Sequence, residues 1–164
     1  MKIYIGADHA GFQLKNSIIR ELEAGNISGP HNVEDLGAIE LEPGDDYPVI
    51  SQRVARAVAD DNGSIGIIVG GSGQGEAMAA NRIDTIRAAV FYGPVAPKQA
   101  IDIEGSESTD PYMIVRLEKI HNNANVLALG ARFLSENEAL TAVRVFIDTE
   151  FKNEERHIRR IAMF

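Results

Sequence analysis

The chain contains no cysteine, which excludes disulfides, thiolate metal sites and a cysteine nucleophile. It has no apolar run of membrane-spanning length. Its opening "MKIYIG" is too short for the apolar core of a secretory signal peptide and runs straight into "ADH". A basic excess is missing as well: 16 Lys and Arg stand against 24 Asp and Glu, for a net charge of −8. General nucleic-acid binding needs a basic face and is therefore not expected. These absences together fit a reducing, cytoplasmic setting. Positive charge is nevertheless concentrated in "RHIRR" (156–160), enough to hold a small anion locally. What is present is ordinary for a globular chain, with 45% apolar and 24% charged residues in 164. That length suits one domain with a substantial core.

Short β-branched runs alternate with helical periodicity, without internal repeats or low-complexity tracts. "KIYIG" (2–6) reads as a strand, and Leu14, Ile18 and Leu22 follow at the i, i+4, i+8 spacing of an amphipathic helix. Gly25 and "SGP" end that helix, and "NVEDLG" is a shorter strand. After "PGDDYP", Ile50, Val54 and Val58 repeat the helical spacing. "SIGIIVGG" is apolar throughout, as in the middle of a parallel sheet. "EAMAANR" then reads as helix, "IRAAVFY" as strand, 112–121 as helix and "NVLALG" (125–130) as a fifth strand. Leu140, Val143 and Ile147 mark another helix, and a terminal helix covers 153–164. Five strands alternating with helices predict an α/β fold with a five-stranded parallel sheet covered on both faces. The stretch 93–111 is too long for an ordinary connection and reads as an inserted loop or a lid.

Ligands of open parallel sheets sit beyond the carboxyl ends of the strands. Polar residues collect at the strand flanks here: "ADHAG", "GGSGQGE" and "GAR" follow strands one, three and five, and "HNNAN" precedes the fifth. The glycine loop at 70–76 lacks the third glycine of a dinucleotide fingerprint, because Glu76 stands there. No Lys-Ser or Lys-Thr follows it, so it is not a Walker phosphate loop. Two readings stand: a tight turn whose Glu76 favours a positive helix N-terminus, or an N–H-lined cradle for a developing oxyanion beside an ionised carboxylate base. Asp8 suits a helix cap, His121 a helix-terminal cation, and Arg132 a surface position. Arg156 and Arg160 share one helical face. Singly each is unremarkable, whereas together they predict acid, base, imidazole and guanidinium groups at one end of a sheet.

The motifs "GADHAGFQLK", "DYP", "GGSGQGEAMAANR", "HNNANVLALGAR" and "RHIRRI" make the chain resemble the ribose-5-phosphate isomerase B family over nearly its whole length. That family includes galactose-6-phosphate and allose-6-phosphate isomerases. One of its branches places a cysteine base where this sequence has Gly70; the other places a glutamate at the end of the glycine loop, matched by Glu76. The resemblance implies a three-layer, Rossmann-like α/β/α domain spanning 1–164, with its site at a homodimer (or tetramer) interface. It implies that Glu76 is the base, that His121 opens the furanose ring, and that Ser72 lies near the reacting oxygens. Gly71, Ser72, Gly73, Gln74 and Gly75 would line the enediolate, Asn122 would bind a hydroxyl, and Asp8 and His9 would contact the sugar phosphate. Arg132, with Arg156 and Arg160 on a C-terminal helix reaching from the other subunit, would hold the phosphate. No metal or cofactor is implied. The segment 93–111 is longer than the family pattern and bears on sugar size.

The leading expectation is therefore interconversion of ribose 5-phosphate and ribulose 5-phosphate. A 6-phosphohexose substrate is the alternative within the class. A non-catalytic sugar-phosphate or nucleotide-binding module has no need of Glu76 and His121 together, and a structural oligomerisation domain leaves the polar strand ends unexplained.

Overall fold

Residues 1–164 are described by a computed structural model. Along the chain, β1 (Lys2–Ala7), α1 (Phe12–Glu23), β2 (Asn32–Asp35), α2 (Tyr47–Asp60) and β3 (Ile65–Gly70) come first. They are followed by α3 (Gln74–Ala80), β4 (Ala88–Phe91), α4 (Met113–Asn122), β5 (Val126–Gly130), α5 (Glu136–Asp148) and α6 (Glu155–Ile161). The expected alternation is present, and the terminal helix is a few residues shorter than the periodicity suggests. No helix is long and apolar enough to cross a membrane.

All strands are parallel, in the order β2-β1-β3-β5-β4. Alternation along each strand divides the core in two. Ile3, Ile5, Ala7, Ile67, Val69, Leu127 and Leu129 face α1, α4 and α5 and form the larger cluster with Ile18, Leu22, Val115 and Phe146. On the other face Ile68 and Val126 meet Val54, Ala55 and Val58 of α2 and Ala80 of α3. The result is three layers, α/β/α.

The chain leaves β1 toward β2 and returns to place β3 on the other side of β1. Connections on either side of that point diverge, opening a crevice beyond the carboxyl ends of β1 and β3. The loops after these two strands are "DHAG" and "GSG". The fold thus sets Asp8 and His9 against the glycine loop.

The 93–111 segment forms neither helix nor strand. Its neck is closed by the Val95 N–H donating to the Pro111 carbonyl (2.9 Å), and a tight turn inside it joins the Ile101 N–H to the Ser106 carbonyl (2.8 Å). The Asp102 carboxylate accepts the N–H groups of Glu104 and Ser106. An ion pair between Asp110 and Arg116 (2.8 Å) fastens its return to α4.

Candidate active site

The glycine loop turns sharply because Gly73, with φ of 76°, occupies the left-handed region at the N-terminus of α3. That turn swings Glu76 back over the end of β3. Its carboxylate fills the space above Gly70, where any Cβ would overlap it. A side chain at position 70 would therefore have to displace the Glu76 carboxylate from the place it holds over β3.

Glu76 is 5% exposed. Burial raises its carboxyl above the ordinary range, and the charge of Asp8 adds to this. Backbone N–H groups and Arg132 pull the other way without cancelling the shift. Desolvation thus outweighs the first turn of a short helix, so the pKa of Glu76 moves up and not down.

A cleft of about 410 Å³ brings Glu76 together with Asp8, His9, Gly71, Ser72, Gly75 and Arg132. Gly73 is buried beneath the loop and Gln74 points outward. The loop is tied to the turn after β5, where Ala131 and Arg132 donate backbone N–H groups to the carbonyls of Gly70 and Gly71. The Arg132 guanidinium lies over Gly71, about 3.3 Å from where a Cβ would stand. Asp8 is not the cap of α1. Its carboxylate accepts the N–H groups of Ala10 (3.0 Å) and Gly11 (3.2 Å) in a turn before the helix, whose N-cap is Gly11.

Tyr47 and Phe133 also line the cleft, and neither was singled out from the sequence. Tyr47 belongs to "DYP", and its ring stands against Gly75. The loop leading to it is anchored by Lys15, a fully buried lysine paired with Asp35 and donating to the carbonyls of Gly37 and Ala38.

His121 and Asn122 are not in this cleft. They occupy the last turn of α4, whose end abuts the amino edge of β5, while Glu76 follows the carboxyl edge of β3. At 3.3 Å per residue, β5 alone separates the two edges by roughly 13 Å. The predicted gathering of all these groups at one end of the sheet does not occur within a single chain. His121 instead stacks on the buried ring of His157, with centroids 4.5 Å apart and planes at 16°. Burial, with the charges of His157 and Arg156, lowers the His121 imidazole below its ordinary value and favours its neutral form. Arg156 pairs with Glu154 at 2.8 Å, and Arg160 is exposed.

A cavity of about 260 Å³ joins His121 and Arg156 to Lys152, Glu154 and three residues of the long loop, Ile101, Asp102 and Glu104. Asn122 opens instead into a cavity of about 550 Å³ with Arg87 and Phe164. That larger space holds no proton-transfer pair, so the chemistry points to the smaller cleft around Glu76.

Comparison with known proteins joins these halves to one family. The sequence matches the Ribose/Galactose Isomerase family over residues 3–106 and 102–164, two stretches that meet inside the long loop. It is 37% identical over 161 residues to ribose-5-phosphate isomerase B of Mycobacterium leprae, covering 98% of this chain and 86% of that protein. Its fold is similar to the crystal structure of ribose-5-phosphate isomerase B from Mycoplasma genitalium with bound ribulose-5-phosphate (TM-score 0.81, 31% identity, 99% and 92% coverage). The Thermotoga maritima ribose 5-phosphate isomerase is equally similar (TM-score 0.81, 33% identity, 99% and 95% coverage). With a match that runs through both the Glu76 cleft and the His121 helix, the chain belongs to the ribose/galactose isomerase family.

Proposed function

We propose that the protein is an aldose–ketose isomerase that interconverts D-ribose 5-phosphate and D-ribulose 5-phosphate. One observation carries the reading: a buried carboxylate, Glu76, packed over Gly70 beside a glycine loop in a cleft of sugar size. Isomerisation of an α-hydroxy aldehyde needs a base that takes the C2 proton and returns it to C1, while the oxygens bear the charge of a cis-enediolate. Glu76 performs the transfer. Burial raises its pKa, which suits it to hold the proton between the two carbons. Backbone N–H groups of Gly71 to Gly75 and the Ser72 hydroxyl stabilise the enediolate oxygens. Asp8, His9 and Arg132 contact the sugar phosphate from the same chain.

The furanose must first open, with a proton delivered to the ring oxygen. His121 is the acid–base group for that step, and its lowered pKa supports a neutral imidazole. It stands at the opposite sheet edge from its own Glu76, so we infer a homodimer in which the partner subunit's His121 and Asn122 complete each cleft. The partner's Arg156 and Arg160 hold the phosphate there. This reading supplies local cations to a protein of net charge −8. Loop residues Ile101, Asp102 and Glu104 beside His121 make sugar length the point at which a 6-phosphohexose competes.

The test is a coupled assay against ribose 5-phosphate, ribulose 5-phosphate, allose 6-phosphate and galactose 6-phosphate. Pentose turnover that falls by roughly 10² to 10⁴ in Glu76→Gln, with substrate still bound, is the expected result. Near-normal turnover in that variant removes Glu76 from the role.

A further inference from the structure

Asp45 lies in the loop between β2 and α2, 36 residues from His9 in sequence and against it in space. Its Oδ1 accepts two bonds from that one residue: the backbone N–H at 3.1 Å and the ring Nδ1 at 2.7 Å. The Asp45 side chain is 10% exposed, whereas that of His9 is 35% exposed and opens into the Glu76 cleft. The other oxygen of Asp45 is buried without a partner. A buried carboxylate oxygen left unpaired works against folding, so the need for an acidic residue here arises elsewhere.

An ionised carboxylate only accepts hydrogen bonds, so Nδ1 of His9 must carry the proton. The backbone bond fixes where the ring is rooted, and the ring bond fixes its rotation. Nε2 is left as the nitrogen available to the cleft. Asp8 does not compete for this job, since its Oδ1 is committed to the N–H groups of Ala10 and Gly11.

We propose that Asp45 is a positioning residue that locks His9 in its Nδ1–H form and aims Nε2 at the phosphorylated end of the substrate. Neutral His9 then accepts from a ligand hydroxyl, and the doubly protonated ring donates to a phosphate oxygen. The inference rests on the isomerase reading for the identity of the ligand, though not for the state of the ring.

Two measurements test it separately. In ¹⁵N spectra of the imidazoles, His9 of the wild type is expected as the Nδ1–H tautomer when neutral, and Asp45→Ala should move it toward the Nε2–H form. In the same variant, KM for the sugar phosphate and Kd for inorganic phosphate should rise on the order of tenfold, with kcat nearly unchanged. Asp45→Asn, whose amide oxygen can accept both bonds, should recover most of the affinity. An unchanged tautomer in Asp45→Ala overturns the proposal, and so does a changed tautomer with unchanged phosphate affinity. Failure of the isomerase reading would show itself differently, as absence of turnover in the wild type with the His9 spectrum still as described.

Discussion

Glu76 and His121 sit at opposite edges of one sheet, and this separation leads to a quantitative mixing experiment. The acid and the base must each come within hydrogen-bond reach of atoms on one small sugar, yet β5 alone holds their edges roughly 13 Å apart. The homodimer proposed above, with a two-fold axis, would build two sites, each with Glu76 of one chain and His121 of the other. Glu76→Gln and His121→Ala homodimers should each be slow on ribose 5-phosphate, by roughly 10² to 10⁴ for loss of a positioned base or acid. Mixing equal amounts and allowing exchange makes about half the dimers hybrid under two-fold symmetry. In each hybrid one site carries both lesions and the other carries none. About a quarter of all sites are then intact, and activity should climb from a hundredth or less of the wild-type value to about a quarter of it. The assay is the isomerase rate before and after exchange, with hybrid formation verified by native mass spectrometry. A mixture that stays at the rate of its parents despite proven exchange refutes the shared site.

Three further outcomes follow from the same structure. Burial raises Glu76, and the base must be ionised to work, so the acid limb of kcat should lie above the ordinary carboxylate value of 4.5; a limb at or below it contradicts the burial argument. Glu118, 8% exposed on α4, is pushed up from 4.5 to about 8 by burial. The folded state holds that proton longer than the unfolded chain, so its contribution favours folding at low pH and is lost as pH rises from 4.5 to about 8. Glu118→Gln should gain relative stability across that window, at most on the order of 5 kcal/mol above it, and parallel denaturation curves at pH 5 and 9 would count against this. Arg156→Ala and Arg160→Ala should chiefly raise KM, each losing a charge-assisted contact of roughly 1.5 to 3 kcal/mol; a fall in kcat at unchanged KM would move them out of phosphate binding.

Local patterning was enough to find the elements, since spacing alone decides which residues a helix or strand can bury. Ile18 and Leu22, then Ile50, Val54 and Val58, are buried as their periodicity requires. The glycine loop and Glu76 were likewise readable, because a strand followed by a tight turn is a short-range feature. Long-range properties were not. The acidity of Glu76 depends on what surrounds it, and the sequence shows only the helix terminus, which burial outweighs. Asp45 reaches His9 only through the path of the β2–α2 loop, itself set by the buried Lys15. The placing of His121 was within reach of topology. A helix that links parallel strands runs back along the sheet, so its last turn must arrive at the amino edge of the next strand.

The closed neck of the 93–111 loop makes that segment an exchangeable cassette. Its two ends already touch through Val95 and Pro111, so whatever lies between them transmits no tension to β4 or α4. Closing a loop costs only logarithmically more as it lengthens. Residues can be added or removed there while the sheet, the glycine loop and Glu76 stay where they are. The far end of the cassette nevertheless borders His121 and Arg156. Rewriting that one surface segment therefore reshapes the border of the His121 cavity while the Glu76 cleft stays in place, and on the reading proposed above it is there that sugar choice would be altered.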